Sequence, residues 1–510
     1  MKLKKLSILV SLFFFIGVSS NVFANHFGET FGFSAEGIAR GNAMTASVND
    51  WSSVFYNVGG LGKSVNIKGA SSGGTGGEMT LKLRKTEGEG YSGEKEFYPN
   101  QFAIGVLYVF PQMNLNINRF GTTSTGSYIP VTTNAKEEKD PYGFITIGGV
   151  LDLNTVVKLP DLISTARLGV GLGLNSDLTV AKVNDIDPRT HNFIRYGKEI
   201  QRLALLVGAG MGFLNDAFGG GIGFHGNFNG KGKMLMEAQL TANPQVPLGQ
   251  TNMDLGLAPG AIAGVYISPG QIFSIIEGLE LGASYRMENK MKVEPFDAAA
   301  SILGGVINMN LMLEIFDYYT PHVITGGVAF TRWGLTISAD VNYEMWSRMM
   351  VGKSTETHYY ALPKFVDTLS YKVGIKYVTP LHWLGIMAGY SYVPSILDKS
   401  TGTMYAFRFG TVQNLLQTGM YNIMDNNKHL ASLGFQFTVP KMWRLGGMTV
   451  ITLSYQFQYL EQVSVSKNGL SIDLATMGQD PSLVSAYLLN PSYSYGGMNH
   501  SIFVEVGMKL

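Results

Sequence analysis

The 510-residue chain contains no cysteine. That excludes a disulfide framework, thiolate metal centres and a cysteine nucleophile together. Charge is scarce: Asp, Glu, Lys and Arg make up 15% of the residues, against about 25% in ordinary soluble domains. The 38 basic and 37 acidic residues nearly cancel, so neither nucleic acid nor another polyanion is implied as a partner. Long apolar runs are also missing beyond the first two dozen residues. The longest, Leu203 to Leu214, is bounded by Arg202 and Asp216 and is too short for a helix, which needs about 20 residues to cross a bilayer. Histidines 26, 191, 225, 322, 358, 382, 429 and 500 never fall at i, i+4 spacing. Neither a metal site nor a serine–histidine catalytic pair is indicated, and no cofactor and no enzymatic activity are expected.

What is present begins with a leader. Lys2, Lys4 and Lys5 precede an apolar run from Leu6 to Val18, and Val22-Phe23-Ala24 offers small residues at the −3 and −1 positions. This is the pattern of a signal peptide spanning residues 1–24, cleaved after Ala24. The remainder carries 63 Gly, 25 Tyr and 29 Phe. An exported chain with little charge, many aromatics, abundant glycine and no helical span points to an all-β fold, a transmembrane antiparallel β-barrel of the outer membrane. Its closed sheet pairs every backbone group without a helix.

Alternation supports this. In Leu335 to Trp346, Leu335, Ile337, Ala339, Val341, Tyr343 and Met345 share one face, and Thr336, Ser338, Asp340, Asn342, Glu344 and Trp346 the other. Thr449 to Leu460 repeats the pattern, with aromatics gathered toward one end as an interfacial girdle requires. Weaker copies occur at 166–175, 279–288, 371–377, 384–392 and 431–437, and the chain ends in strand register through Ile502, Val504, Val506, Met508 and Leu510. Roughly thirteen to fifteen strands are expected from residue 64 onward, with Ser64 to Phe110 hardest to divide, and barrels of this type favour an even count. Phe120 to Asp140 and Tyr405 to Asn427 read as extracellular loops. No fixed-period repeat is evident, which argues against a propeller or solenoid.

The inward faces carry Arg286, Glu288, Asp340, Glu344, Lys372, Lys376, Glu505 and Lys509. They either neutralise one another across neighbouring strands or line a carboxylate-binding or ion-selective lumen; no one-signed ring marks a porin filter. Arg286 and Lys292 are the candidates for a carboxylate partner.

Two segments break the strand pattern. In Asp297 to Tyr319, Ile302, Val306, Met309, Leu313 and Phe316 recur at alternating four- and three-residue spacing with Met312 beside them. This predicts an amphipathic loop helix over 297–319, against the cost of Gly304 and Gly305. It either packs on the rim or offers an apolar groove for a hydrophobic ligand. The second segment is residues 25–63. Asp50 is a candidate cap for a short helix from Trp51 to Tyr56, and Gly59 or Gly60 a candidate left-handed stop. Phe31, Phe33, Ile38, Met44, Trp51, Phe55 and Tyr56 favour burial over a periplasmic position, and burial in the lumen means a plug.

GIARGNAMTASVNDWSSVFYNVGGLGK, from Gly37 to Lys63, resembles the hatch signature of the outer-membrane long-chain fatty acid and aromatic hydrocarbon transporter family (FadL/TodX-like). PHVITGGVAF, LTISADVNYEMWSRM, DTLSYKVGIKYV, GYSYVPSILD and NNKHLASLGFQF follow in the family's order, so the resemblance covers most of the chain after the leader. It implies a monomeric barrel of fourteen strands over 64–510, with 25–63 folded inside as a hatch. It also implies passive uptake: a hydrophobic molecule lands in an extracellular apolar groove, moves to a lumenal pocket and leaves past the hatch into the membrane. Arg40, Trp51, Phe55, Tyr56, Asn57, Gly59 and Gly60 are the hatch candidates. Two features depart from the family pattern: Asn57-Val58-Gly59-Gly60 replaces Asn-Pro-Ala-Gly, and Leu510 replaces the usual terminal aromatic. Long-chain fatty acids are the expected substrate, with aromatic hydrocarbons or other lipophiles next. A barrel without transport, serving as adhesin or surface receptor, and an aqueous porin are the alternatives. The glycine-dense Phe218 to Gly230 either hosts a kink for lateral exit or packs against the hatch.

Overall fold

The computed structural model describes residues 27–64, 100–122, 128–135, 140–157, 159–160, 162–175, 192–196, 204–238, 248–290, 296–302, 307–313, 319–348, 365–381, 383–398, 404–408, 411–415, 423–439, 447–466 and 492–510. The leader expected over residues 1–24 lies outside them. Fourteen strands close into a ring: β1 (Gln101–Thr122), β2 (Tyr142–Asp152), β3 (Ile163–Asn175), β4 (Ala204–Phe213), β5 (Phe218–Ala238), β6 (Leu248–Ile267), β7 (Leu279–Arg286), β8 (Val323–Arg332), β9 (Leu335–Glu344), β10 (Thr368–Val378), β11 (Leu384–Val393), β12 (Lys428–Val439), β13 (Met448–Ser466) and β14 (Ser492–Lys509). Each pairs antiparallel with the next, and β14 returns to β1 from Gln101↔Lys509 to Asn118↔Ser492. Closure leaves the ring no unpaired edge. Tyr128–Ala135 folds back on β1 above β2, and a hairpin of Phe296–Ile302 and Ile307–Leu313 extends from β5.

The backbones of Asn100 and Leu510 exchange hydrogen bonds, so both ends of the ring's chain lie at one rim. The tight turns Leu214–Ala217 and Trp333-Gly334 lie at that rim, and the long connections at the other. Short periplasmic turns and long extracellular loops are the outer-membrane pattern.

The alternation expected for β9, β13 and β14 is realised. Ile337, Val341, Leu453, Tyr455, Ile502, Val504 and Val506 are exposed, while Ser338, Asp340, Asn342, Ser454, Gln456 and Glu505 are buried. Tyr285, Tyr343, Tyr390 and Tyr459 are exposed near the loop end, forming an aromatic girdle. A closed sheet with an apolar outer belt is the β solution to spanning a bilayer. Among the described residues no helix is long and apolar enough to cross a membrane.

Two expectations need correction and one alternative is decided. The segment 297–319 contains no described helix: Asp297↔Met312, Ala300↔Met309 and Ile302↔Ile307 are paired in an antiparallel hairpin. INMNLML alternates apolar and polar residues as a strand does, and the sequence places Gly304 and Gly305 between the two arms, where they oppose a continuous helix. Val306 and Phe316 lie outside the described residues. Secondly, of the two readings of Phe218 to Gly230 the kink is not seen: β5 runs unbroken, paired with β4 as far as Gly226 and with β6 throughout, and the register shifts fall at Ile163/Thr165 and Leu460/Val463 instead. Thirdly, several inward charges pair with the N-terminal segment rather than across neighbouring strands.

Candidate functional site

Residues 27–64 fill the lumen. They form α1 (Phe27–Thr30), α2 (Ala35–Ala39), α3 (Ser53–Tyr56) and a 3-10 turn over Val58–Gly62. Such short pieces have no independent stability, because helix nucleation costs more than one turn returns; the wall must hold them. The Ser34 side chain caps α2 by accepting from Gly37 N at 3.1 Å, and the chain then reverses through Gly41 and Asn42 with φ of 59° and 60°. Asp50 caps the next turn, accepting from Ser52 N at 2.8 Å, but α3 starts later than expected, at Ser53. It stops at extended Asn57, not at a left-handed glycine; Gly59 and Gly60 belong to the 3-10 turn.

The plug meets one side of the barrel through glycines. A Cβ added at Gly148 would overlap the Trp51 ring, at Gly171 it would meet Phe33 and Val54, and at Gly208 and Gly221 it would meet Val58. The glycine-dense β5 is thus a packing surface for the hatch. On β9 to β14 the wall is polar. Thr45 N donates to Asp340 at 2.8 Å, the Ser391 hydroxyl to Gly41 O, and Gln456 and Gln458 to the carbonyls of Phe31 and Thr30. Buried backbone groups of the plug are thus satisfied by the wall.

Of the hatch candidates, Arg40 donates to Glu36 at 3.2 Å and to Ser47 and Ser338. Trp51 donates to Glu505 at 3.4 Å. The Tyr56 hydroxyl donates to Asn42 and accepts from Phe33 N. Asn57 joins plug to wall, donating to Thr45 O at 2.8 Å and Val265 O at 3.0 Å. A Cβ at Gly59 would stand 2.9 Å from the Gly264 backbone, which accounts for glycine where the family signature has alanine. At the centre of the charge network, Glu36 accepts from Lys376 at 2.7 Å and Gln436 at 3.0 Å. Burial alone would raise the Glu36 carboxyl, but Lys376 and Arg40 outweigh it and bring its pKa down to about 2. Asp50 moves the other way, raised by burial and by Glu36 against its Ser52 bonds.

Two small neighbouring cavities, of about 20 and 30 Å³, open on the extracellular half of the plug. The first is bordered by Tyr56, Ile262, Asn342 and Lys372, the second by Phe27, Phe33, Leu206 and His225. Glu29, Phe55 and Arg286 border both. The Arg286 guanidinium is ion-paired with Glu29 and lies 4.6 Å from the centre of the Phe55 ring. Phe55 and Arg286 are thus brought together, whereas Lys292 lies outside the described residues, and the backbones of Ile302, Met309, Met312 and Leu313 are in the outlying hairpin. Phe27, Glu29, Glu36 and Arg167 were missed by sequence reasoning; the one available signal was Arg167, a lone arginine in a strand otherwise rich in glycine and aliphatics.

No family model and no curated protein matches the sequence. In structure, the chain is similar to a Pseudomonas aeruginosa FadL homologue, with TM-score 0.51 and 12% identity over 96% of this chain and 99% of that one. It is also similar to the Pseudomonas putida toluene transporter TodX, with TM-score 0.43 and 14% identity over 93% and 98%. The Ralstonia pickettii toluene transporter TbuX gives TM-score 0.42 and 14% over the same shares. The chain therefore has the fold of the P. aeruginosa FadL homologue, a closed fourteen-stranded barrel with its N-terminal segment inside.

Proposed function

We propose that the protein takes up hydrophobic molecules passively across the outer membrane, with residues 25–63 acting as the hatch. The observation that carries this reading is the pair of part-apolar cavities bordered by plug and wall together, so that a bound molecule and the plug compete for the same contacts. Burying a methylene is worth about 0.8 kcal/mol, enough to load such a site without an energy source. A plug that shifts after binding then weakens the site and lets the ligand go. Long-chain fatty acids and aromatic hydrocarbons are the candidate substrates; Arg286 favours those with an anionic head. The fold neighbours titled FadL homologue and toluene transporter support the same general reading. A barrel serving only as adhesin or receptor would need no cavity that its plug helps to form.

The test is uptake of labelled oleate and toluene into cells lacking their own transporter, comparing the full-length chain with a form lacking residues 25–63. Uptake above vector, altered by the deletion, is expected. Uptake equal to that of an unrelated empty barrel overturns the proposal.

A further inference from the structure

The periplasmic connection from β6 to β7, residues 268–278, is folded into two 3-10 turns, Pro269–Gln271 and Ser274–Ile276. It is pinned on both sides. Ser268 N donates to Ala217 O of the β4–β5 turn at 2.7 Å, and Thr331 N of β8 donates to Gly278 O at 2.9 Å. Compact loops are usually packed by their own side chains. This one turns its apolar side chains out: Ile272 and Phe273 are half exposed and Ile275 is 92% exposed. The turns on either side do the same. Leu214 between β4 and β5 and Trp333 between β8 and β9 are exposed at φ of 51° and 53°, a left-handed conformation that bulky side chains rarely adopt and that tight turns usually give to Gly, Asn or Asp. Backbone strain of this kind points to a role for the side chain it presents.

We infer that these three turns form a foot docked in the phospholipid leaflet that faces the periplasm. Three observations select lipid as the occupant. The patch continues the outer belt without a break: Val265 and Ile267 lead down β6 into it, Leu281 leads away along β7, and Val328 and Phe330 run down β8 to Trp333, all of them exposed. Height agrees as well. Ten residues separate Trp333 from Tyr343 of the extracellular girdle. At about 3.3 Å per residue and a strand tilt of about 40°, that is a rise of about 25 Å, the height of a barrel's apolar band. The tips of the turns therefore fall at the lower boundary of the band. The side chains suit that level: the guanidinium of exposed Arg332 lies 4.5 Å from the centre of the Trp333 ring. Indole rings favour the membrane interface, and a guanidinium matches the geometry of a lipid phosphate. The exposed polar residues of the loop, Gln271 and Glu277, stand toward its two ends and leave its middle apolar.

The foot lies beside the departing end of the plug. The Tyr266 hydroxyl of β6 donates to Gly62 O at 2.9 Å, and Glu280 of β7 accepts from Lys63 at 3.0 Å. The two strands that hold the last residues of the plug from inside are thus the two whose connection the leaflet holds from outside. This docking does not depend on what the barrel carries.

The cysteine-free chain allows the test to be made with single labels. Ile275→Cys and Trp333→Cys are each coupled to a nitroxide and reconstituted into vesicles of phosphatidylethanolamine and phosphatidylglycerol. Ile337→Cys in the belt and Asp140→Cys at the loop end serve as lipid and water references. Power-saturation EPR then compares collisions with oxygen, which concentrates in lipid, and with a nickel chelate, which stays in water. The expected oxygen-to-nickel ratio at both positions is several-fold above that of Asp140→Cys and shifted toward that of Ile337→Cys. Heat-modifiable migration on gels checks that each variant is a folded barrel. In unlabelled protein, quenching of tryptophan fluorescence by phospholipid brominated near its glycerol should be smaller for Trp333→Phe than for wild type. A ratio like that of Asp140→Cys at either position, or equal quenching in the two proteins, overturns lipid docking. Labels that are water-exposed in vesicles but shielded from an impermeant thiol reagent in permeabilised cells would assign the foot to a periplasmic protein instead, and spin–spin broadening at these positions would assign it to a second copy of the chain; either result overturns the inference.

Discussion

Arg167 of β3 donates from Nε to the carbonyl oxygen of Leu61, 2.7 Å away in the last turn of the plug. The same guanidinium reaches Asn49 O and Gly60 O, each at 3.0 Å, and the carbonyl of Lys63. Carbonyls at the end of a helical turn have no partner within it, and here one buried side chain of the wall supplies several. The departing end of the plug is fixed at the periplasmic rim, while its beginning lies beside the extracellular cavities.

Arg167→Met should therefore free that end. Hydrogen bonds to a charged group are worth about 1.5–3 kcal/mol each, so losing the set exceeds what the short turn can supply. The barrel should still assemble, because its strand pairing is unchanged. Planar-bilayer conductance should rise several-fold over wild type; unchanged conductance would mean the anchor is dispensable.

Gly59→Ala should unseat the turn where this chain departs from the family signature. The added Cβ would stand 2.9 Å from Gly264 backbone atoms, and backbone cannot swing aside as a flexible side chain does. Gly326→Ala is the control, since a Cβ there meets nothing within 4 Å. Protease nicking of the plug in folded protein should increase for Gly59→Ala and remain at the wild-type level for Gly326→Ala.

The Glu36 pair sets an acid limit on plug docking. Its carboxyl, near 4.5 when free, is held at about 2 in the folded protein, so its contribution is fully present above pH 4.5 and is lost as the pH falls through 2. At about 1.4 kcal/mol per pH unit, that contribution is on the order of 3 kcal/mol. Conductance measured from pH 6 down to 2 should rise over the lower part of this range. Glu36→Gln should raise it at neutral pH and flatten that part of the profile.

Asp425 organises the extracellular rim. It accepts from Lys428 at 3.0 Å and from Ile396 N at 2.9 Å, and lies 3.7 Å from Arg195. Burial would raise its carboxyl, but Arg195 and Lys428 hold it below the usual range. Asp425→Asn removes the carboxylate that faces two buried cations, a loss of about 3–5 kcal/mol for a broken buried pair. Cleavage of the β3–β4 and β11–β12 connections by protease added to intact cells should accelerate, with barrel migration unchanged.

The barrel was legible because its lipid face imposes a pattern on neighbouring residues. Ile337, Val341 and Tyr343 had to be apolar at every second position once Ser338, Asp340 and Asn342 faced inward, and that alternation is local. The hairpin over Phe296–Leu313 was misread because short apolar runs satisfy helical and strand spacing alike, and only pairing with β5 decides between them. Arg286 was picked out as a cation entering a loop, yet its partner Glu29 lies 257 positions away. The glycines of Phe218 to Gly230 gave two readings, kink or packing, until Val58 was seen against Gly221.

The sequence alone determined the elements whose environment repeats along the chain: strands with one apolar face, and a segment before them that fits no strand. The closure of β14 on β1, the seat of the plug and the pairing of Glu29 with Arg286 were decided by tertiary structure. Those contacts join residues of opposite walls, and no local period encodes which side chains will face each other across a lumen.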